Sequence, residues 1–268
     1  MKQFICTLFL AGTMAAGWAA GGTGNESALD KEAKQYKMPV SYVVLANRLY
    51  QQMGLQQRGL EKDVFLQAYK GYLLLLGRGL VRQPNLLSIA DFSQSSKNKR
   101  LYILDLQQEK VLMQTVVMHG KNSGADMATS FSNVNNSNKS VLGFLLTADT
   151  YIGSNGLSLR FRGMEPGIND MVTNRAIVVH GSKYITDQTI RQHAVLTNSL
   201  GCPAVPMSQS KFIINAIKGG SVYFIYHPDE YYAQRSAILN ASLGGALPLP
   251  AALTLPALAD SSATALLQ

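Results

Sequence analysis

The sequence predicts a mainly β domain with a few helices, preceded by a short helical segment. Three observations carry that expectation. From Arg100 onward apolar residues recur at every second position. Clusters of Gly, Ser and Asn separate these alternating runs. Before Arg100 the apolar residues instead sit three and four apart.

Met1-Lys2 is a short basic start, Phe4 to Ala16 is an apolar run, and Gly17-Trp18-Ala19 ends in small residues. This is the pattern of a secretory signal, so residues 1–19 are expected to be cleaved and the protein to reach the periplasm. An uncleaved N-terminal anchor is the alternative. Residues 20–84 read as helical. Pro39 suits a first turn, and Val43, Val44, Leu45, Leu49 and Met53 run up to Gly54. Val64, Phe65, Ala68, Tyr69, Tyr72, Leu73 and Leu76 form a second run ending near Gly77.

Residues 85–232 are expected to form the main domain. Leu101 to Leu106, the polar turn Gln107 to Lys110, and Val111 to Met118 read as a hairpin. Val141–Thr147, Leu157–Phe161, Ala176–Val179 and Ser221–Tyr226 are further strand candidates, with a short helix ending at Gly219-Gly220. His119 to Ser140 has no period and is rich in Gly, Ser and Asn, as functional or disordered loops are. Residues 233–268 read as a disordered Ala/Leu/Pro-rich tail, whose Pro248, Pro250 and Pro256 rule out a continuous spanning helix.

Loss of the signal would remove Cys6 and leave Cys202 without a partner in its own chain. A leftover cysteine in an exported protein is a reactive thiol, an intermolecular link or a buried small hydrophobe. The balance of 24 Lys+Arg against 16 Asp+Glu gives a net charge of +8. No run of basic residues is interleaved with aromatics, so nucleic acid is not an expected partner. A basic exported protein suits an acidic envelope polymer.

The run Ala176-Ile177-Val178-Val179 delivers His180 to a strand end, followed by Gly181. Twenty-two positions after His180 comes Cys202, within Asn198-Ser199-Leu200-Gly201-Cys202-Pro203-Ala204. A thiol attacks as its thiolate, and an imidazole is the usual activator. The imidazole needs an acceptor on its other nitrogen, which Ser199 could supply. Gly201 allows a tight turn and amides that face a developing oxyanion. His119 also ends an apolar strand before a glycine and competes with His180. Zinc bound by His180, His193 and Cys202 lacks the paired spacing of short metal motifs, and no metal or other cofactor is expected.

His180-Gly181 followed by Ser199-x-Gly201-Cys202 resembles the signature of the L,D-transpeptidases, enzymes that cross-link peptidoglycan stem peptides. The Gly-Cys-Pro-Ala ending is similar to one branch of that family. Further similar wording lies at His119 to Gly124, Phe131-Ser132-Asn133, Leu142-Gly143-Phe144, Tyr151-x-Gly153, Ser158-Leu159-Arg160, Asn169-Asp170 and Arg175 to His180. The resemblance covers about residues 85–230. It implies a β-sandwich or barrel and a periplasmic cysteine enzyme of cell-wall biogenesis and cell shape. Cys202 would be nucleophile, His180 base, and Ser199 the residue orienting the imidazole. Gly201 and Cys202 would form the oxyanion hole. His119, Gly181, Arg160 and Arg175 complete the candidate substrate-binding set. Implied partners are peptidoglycan stem peptides, with an envelope protein as another acyl acceptor. Hydrolysis by the same site (an L,D-carboxypeptidase or endopeptidase) and non-catalytic wall binding are the alternatives. Leu200, Ala204 and Thr197-Asn198 depart from the residues common at these positions in relatives.

Overall fold

A computed structural model describes residues 26–244 apart from His193; the signal segment and the tail beyond Gly244 lie outside the described residues. The helical segment comprises α1 (Ala28–Tyr36), α2 (Val40–Gln52) and α3 (Lys62–Gly77). Ser27 caps α1 by accepting the Asp30 N–H at 3.1 Å, which satisfies an amide the helix leaves unpaired. The expected pair is thus three helices, the first burying only Ala33 and Tyr36, too few apolar positions to stand out as a run.

The strands are β1 (Leu86–Asp91), β2 (Leu101–Asp105), β3 (Lys110–Thr115), β4 (Gly143–Gly153), β5 (Gly156–Gly163), β6 (Val178–Ser182), β7 (Ala204–Pro206) and β8 (Val222–Tyr226). They form one sheet in the order β3-β2-β1-β8-β4-β5-β6-β7. The pairs β1·β8 and β6·β7 are parallel, and the others antiparallel. Met118, just past the β3 edge, bridges Ala204 on the β7 edge, with its N–H donating to the Ala204 carbonyl at 2.8 Å. The two edges therefore meet, and the sheet curls into a barrel.

Helix α3 packs on β1 and β8, and one continuous apolar core joins the helices to the sheet. Gly71 makes that approach possible: a Cβ there would lie 2.1 Å from the Phe144 ring. Phe144 itself stacks on Phe224 with centroids 4.2 Å apart, so it has no room to yield.

Four more helices follow β6 among the described residues: α4 (Asp187–Arg191), α5 (Met207–Ile217), α6 (Glu230–Arg235) and α7 (Ala237–Asn240). The last two correct the expected tail boundary, because residues 233–244 are folded. Ile238 and Leu243 are buried, and the Leu243 N–H donates to the Lys37 carbonyl at 2.9 Å. The Ser236 hydroxyl donates to buried Glu165, whose carboxylate also accepts the Phe144 N–H at 2.8 Å and the Tyr232 hydroxyl at 3.1 Å. These small polar residues dock on a buried carboxylate, which composition alone cannot indicate.

Candidate active site

The β-branched run ahead of His180 makes β6 a buried strand, and the half-buried imidazole projects from its middle rather than from the expected strand end, because Gly181 and Ser182 continue the pairing with β7. His180 is the register partner of Ala204 on parallel β7. Cys202 lies two residues before that partner, so the loop entering β7 sets the thiol beside the start of β6. The Cys202 Sγ accepts the Val178 N–H at 3.5 Å and lies 3.6 Å from the Ala176 carbonyl. His180 and Cys202 line the same cavity of about 520 Å³, with Tyr151, Tyr184 and Leu200 among its walls.

The His180 Nδ1 lies 2.9 Å from the Gly181 carbonyl. A carbonyl only accepts, so Nδ1 carries the proton and the neutral ring keeps its lone pair on Nε2. Burial pushes the Cys202 thiol up, while the Val178 N–H and the Arg175 charge pull it down. The resting sulfur thus needs a base to become a nucleophile.

The Ser- and Asn-rich stretch 119–140 forms a strap under the loop that carries Cys202. The Lys121 N–H donates to the Ser199 carbonyl at 2.8 Å, and the Gly120 N–H to the Ser140 hydroxyl at 3.0 Å. A Cβ on Gly120 would fall 2.5 Å from the Asn138 carbonyl oxygen, and one on Gly201 2.6 Å from that of Lys139. Gly201 also has φ +116, a conformation that side chains disfavour. Sequence reasoning found the strap as a loop and missed Ser140 and Lys139 as its contacts with the site. The Ser and Asn enrichment was the available signal.

Cys202, His180, Ser199 and Arg175 come together at the cavity, but several expected roles need correction. Ser199 makes no hydrogen bond to His180. Its hydroxyl accepts the Gly201 N–H at 3.2 Å and its carbonyl serves Lys121, so it braces the loop. That bond also occupies the Gly201 amide expected at the oxyanion hole, whereas the Cys202 N–H carries no side-chain bond. His119 is fully buried and outside the cavity lining. Its Nδ1 lies 2.7 Å from an Arg100 guanidinium nitrogen, and burial together with that charge holds its pKa down to about 4. Gly181 is buried in β6, where a Cβ would lie 2.7 Å from the Met207 sulfur, so it serves packing. Arg160 stacks 4.0 Å over the Tyr151 ring and does not line the cavity. Arg175 does line it, but its Nη groups donate to the Ser132 and Lys139 carbonyls and the Ser137 hydroxyl. Among the described residues no three His, Cys, Asp or Glu side chains converge to hold a metal.

The sequence model of the L,D-transpeptidase catalytic domain matches residues 56–226. No curated protein matches the chain. Among solved structures, an L,D-transpeptidase from Mycobacterium smegmatis is similar at 10% identity and a TM-score of 0.34, over 53% of this chain and 59% of that one. The helical cell shape determining protein Pgp2 from Campylobacter jejuni is similar at 11% identity and a TM-score of 0.33, over 60% of this chain and 57% of that one. The Ldtfm-avibactam carbamoyl enzyme is similar at 12% identity and a TM-score of 0.33, over 54% of this chain and 50% of that one. The chain spans between half and three fifths of the length of these structures. The matched stretch of residues 56–226 is more than half of the sequence, and the chain belongs to the L,D-transpeptidase catalytic domain family.

Proposed function

We propose that this chain is an exported cysteine acyl-transfer enzyme of the periplasm that acts on peptidoglycan stem peptides, with Cys202 as nucleophile and His180 as base. One observation carries the reading: the Cys202 thiol and the His180 imidazole share a cavity, and the Gly181 carbonyl leaves Nε2 as the acceptor. His180 takes the Cys202 proton, and Sγ attacks the carbonyl carbon between an L-centre and the following D-residue. The tetrahedral oxyanion faces the Cys202 N–H. As it collapses, the C–N bond breaks and the imidazolium returns the proton to the departing amine. The thioester then meets an acceptor amine, whose proton passes to His180, and the Cys202 thiol is regenerated.

Mass spectrometry of purified peptidoglycan incubated with the protein tests this. New cross-links that vanish in Cys202→Ala and His180→Ala are expected, since nucleophile and base act as a unit. Unchanged peptidoglycan with folded protein overturns the reading, and shortened stems without cross-links would make water the acceptor.

A further inference from the structure

The charge around the cavity is one-sided. None of its lining residues is acidic, and its two charged ones, Arg175 and Lys183, are both cationic. They are not equivalent. The Arg175 Nη groups already grip two carbonyls and a hydroxyl of the strap, so Arg175 contributes field but few free donors. Lys183 is exposed and has no hydrogen bond or ion pair among the described residues. Its Nζ rests 5.5 Å from the centroid of Tyr184, another wall of the cavity.

Position adds to charge. Lys183 follows β6 directly, three residues after His180. At roughly 3.3 Å per residue that is a backbone separation of about 10 Å. A lysine side chain from there can meet a group on a short ligand whose reacting carbonyl faces Cys202. A free ammonium beside unbalanced positive charge concentrates anions and donates charge-assisted hydrogen bonds to a carboxylate.

We propose that Lys183 is the specificity-determining residue that selects a carboxylate-bearing ligand at this cavity, holding the carboxylate at the mouth while Cys202 and His180 face the bond beyond it. The proposal rests on the acyl-transfer reading of the same cavity and names what that site discriminates. A neutral or amidated ligand of equal size is the disfavoured competitor.

Two alkylating reagents test it on the full chain without any need for turnover. Iodoacetate and iodoacetamide both place a CH2 group on the Cys202 sulfur as iodide leaves, but only the first carries a carboxylate. The ratio of their rate constants is expected to fall about three- to fivefold in Lys183→Gln at low salt, as one nearby unit charge permits. It should fall further in Lys183→Glu and recover in Lys183→Arg, and the ratio cancels any change in thiol reactivity that the two reagents share. An unchanged ratio in Lys183→Gln overturns the proposal, as does a fall that Lys183→Arg does not restore. If iodoacetamide leaves Cys202 unlabelled, the nucleophile reading fails by itself. Saturation-transfer NMR with N-acetyl-L-alanyl-D-alanine and its amide then decides Lys183: a preference for the free acid that Lys183→Gln abolishes supports it, and no preference overturns it.

Discussion

The Ser199 hydroxyl accepts the Gly201 N–H at 3.2 Å, two residues along the same loop, and makes no hydrogen bond to His180. Ser199 therefore shapes the chain that carries Cys202 and leaves the imidazole to the Gly181 carbonyl.

Ser199→Ala should consequently behave as a loop variant. Loss of one such hydrogen bond is worth about 1 kcal/mol, so a rate within about tenfold of the parent is expected. The pH profile of the reaction should not move. Rates across pH 5–9 check this, and a displaced profile would return Ser199 to the imidazole.

Acid sensitivity should trace to His119. Its folded pKa of about 4 lies below the 6.5 of an exposed imidazole, because burial and Arg100 disfavour its charged form. The unfolded chain then binds more protons below about pH 6.5. Stability from this residue is complete above that value and is lost as the pH falls towards 4. His119→Asn keeps an acceptor for Arg100 without the titration. The drop in melting temperature between pH 7 and pH 5 should be smaller in this variant.

Two glycines should separate fold from site. Gly71→Ala drives a methyl group into the pinned Phe144 ring and should cost about 1–3 kcal/mol, with activity per folded molecule retained. Gly201→Ala combines a strained φ with a clash against the Lys139 carbonyl, so activity should fall well beyond any stability loss. Melting curves paired with iodoacetamide labelling of Cys202 distinguish the two.

Ser236→Ala removes a donor from buried Glu165, whose carboxyl burial already pushes up. A loss of about 1–3 kcal/mol is expected in urea unfolding, although Ser236 lies within the stretch whose composition suggested an unfolded tail.

Legibility followed local pattern. The β2–β3 hairpin, β5 and β8 could be read because runs of β-branched and aromatic residues ended at clear turns. Strand β1 could not: it is buried along its whole length like β2 and β8, but Ser88 and Asp91 interrupt its apolar run, so local pattern rather than exposure decided what could be read. Strand β7 has three residues, too few for a period. Within the site, the Cys202–His180 pairing was legible from local words. The rejection of His119 was not, since it carries the same strand-end-plus-glycine signature as His180. What distinguishes them is Arg100, which only the folded chain brings against the imidazole.

The bridge between Met118 and Ala204 closes the barrel two residues beyond Cys202. Cys202 thus stands at the clasp of the sheet, the place where its two borders join. A molecule whose clasp has sprung still owns its helices and most of its ladder, but it has no formed pocket beside His180. Fraying at this one junction would silence the protein while spectroscopic measures of helix and strand barely changed, so reactivity at the thiol reports closure more sensitively than secondary structure does.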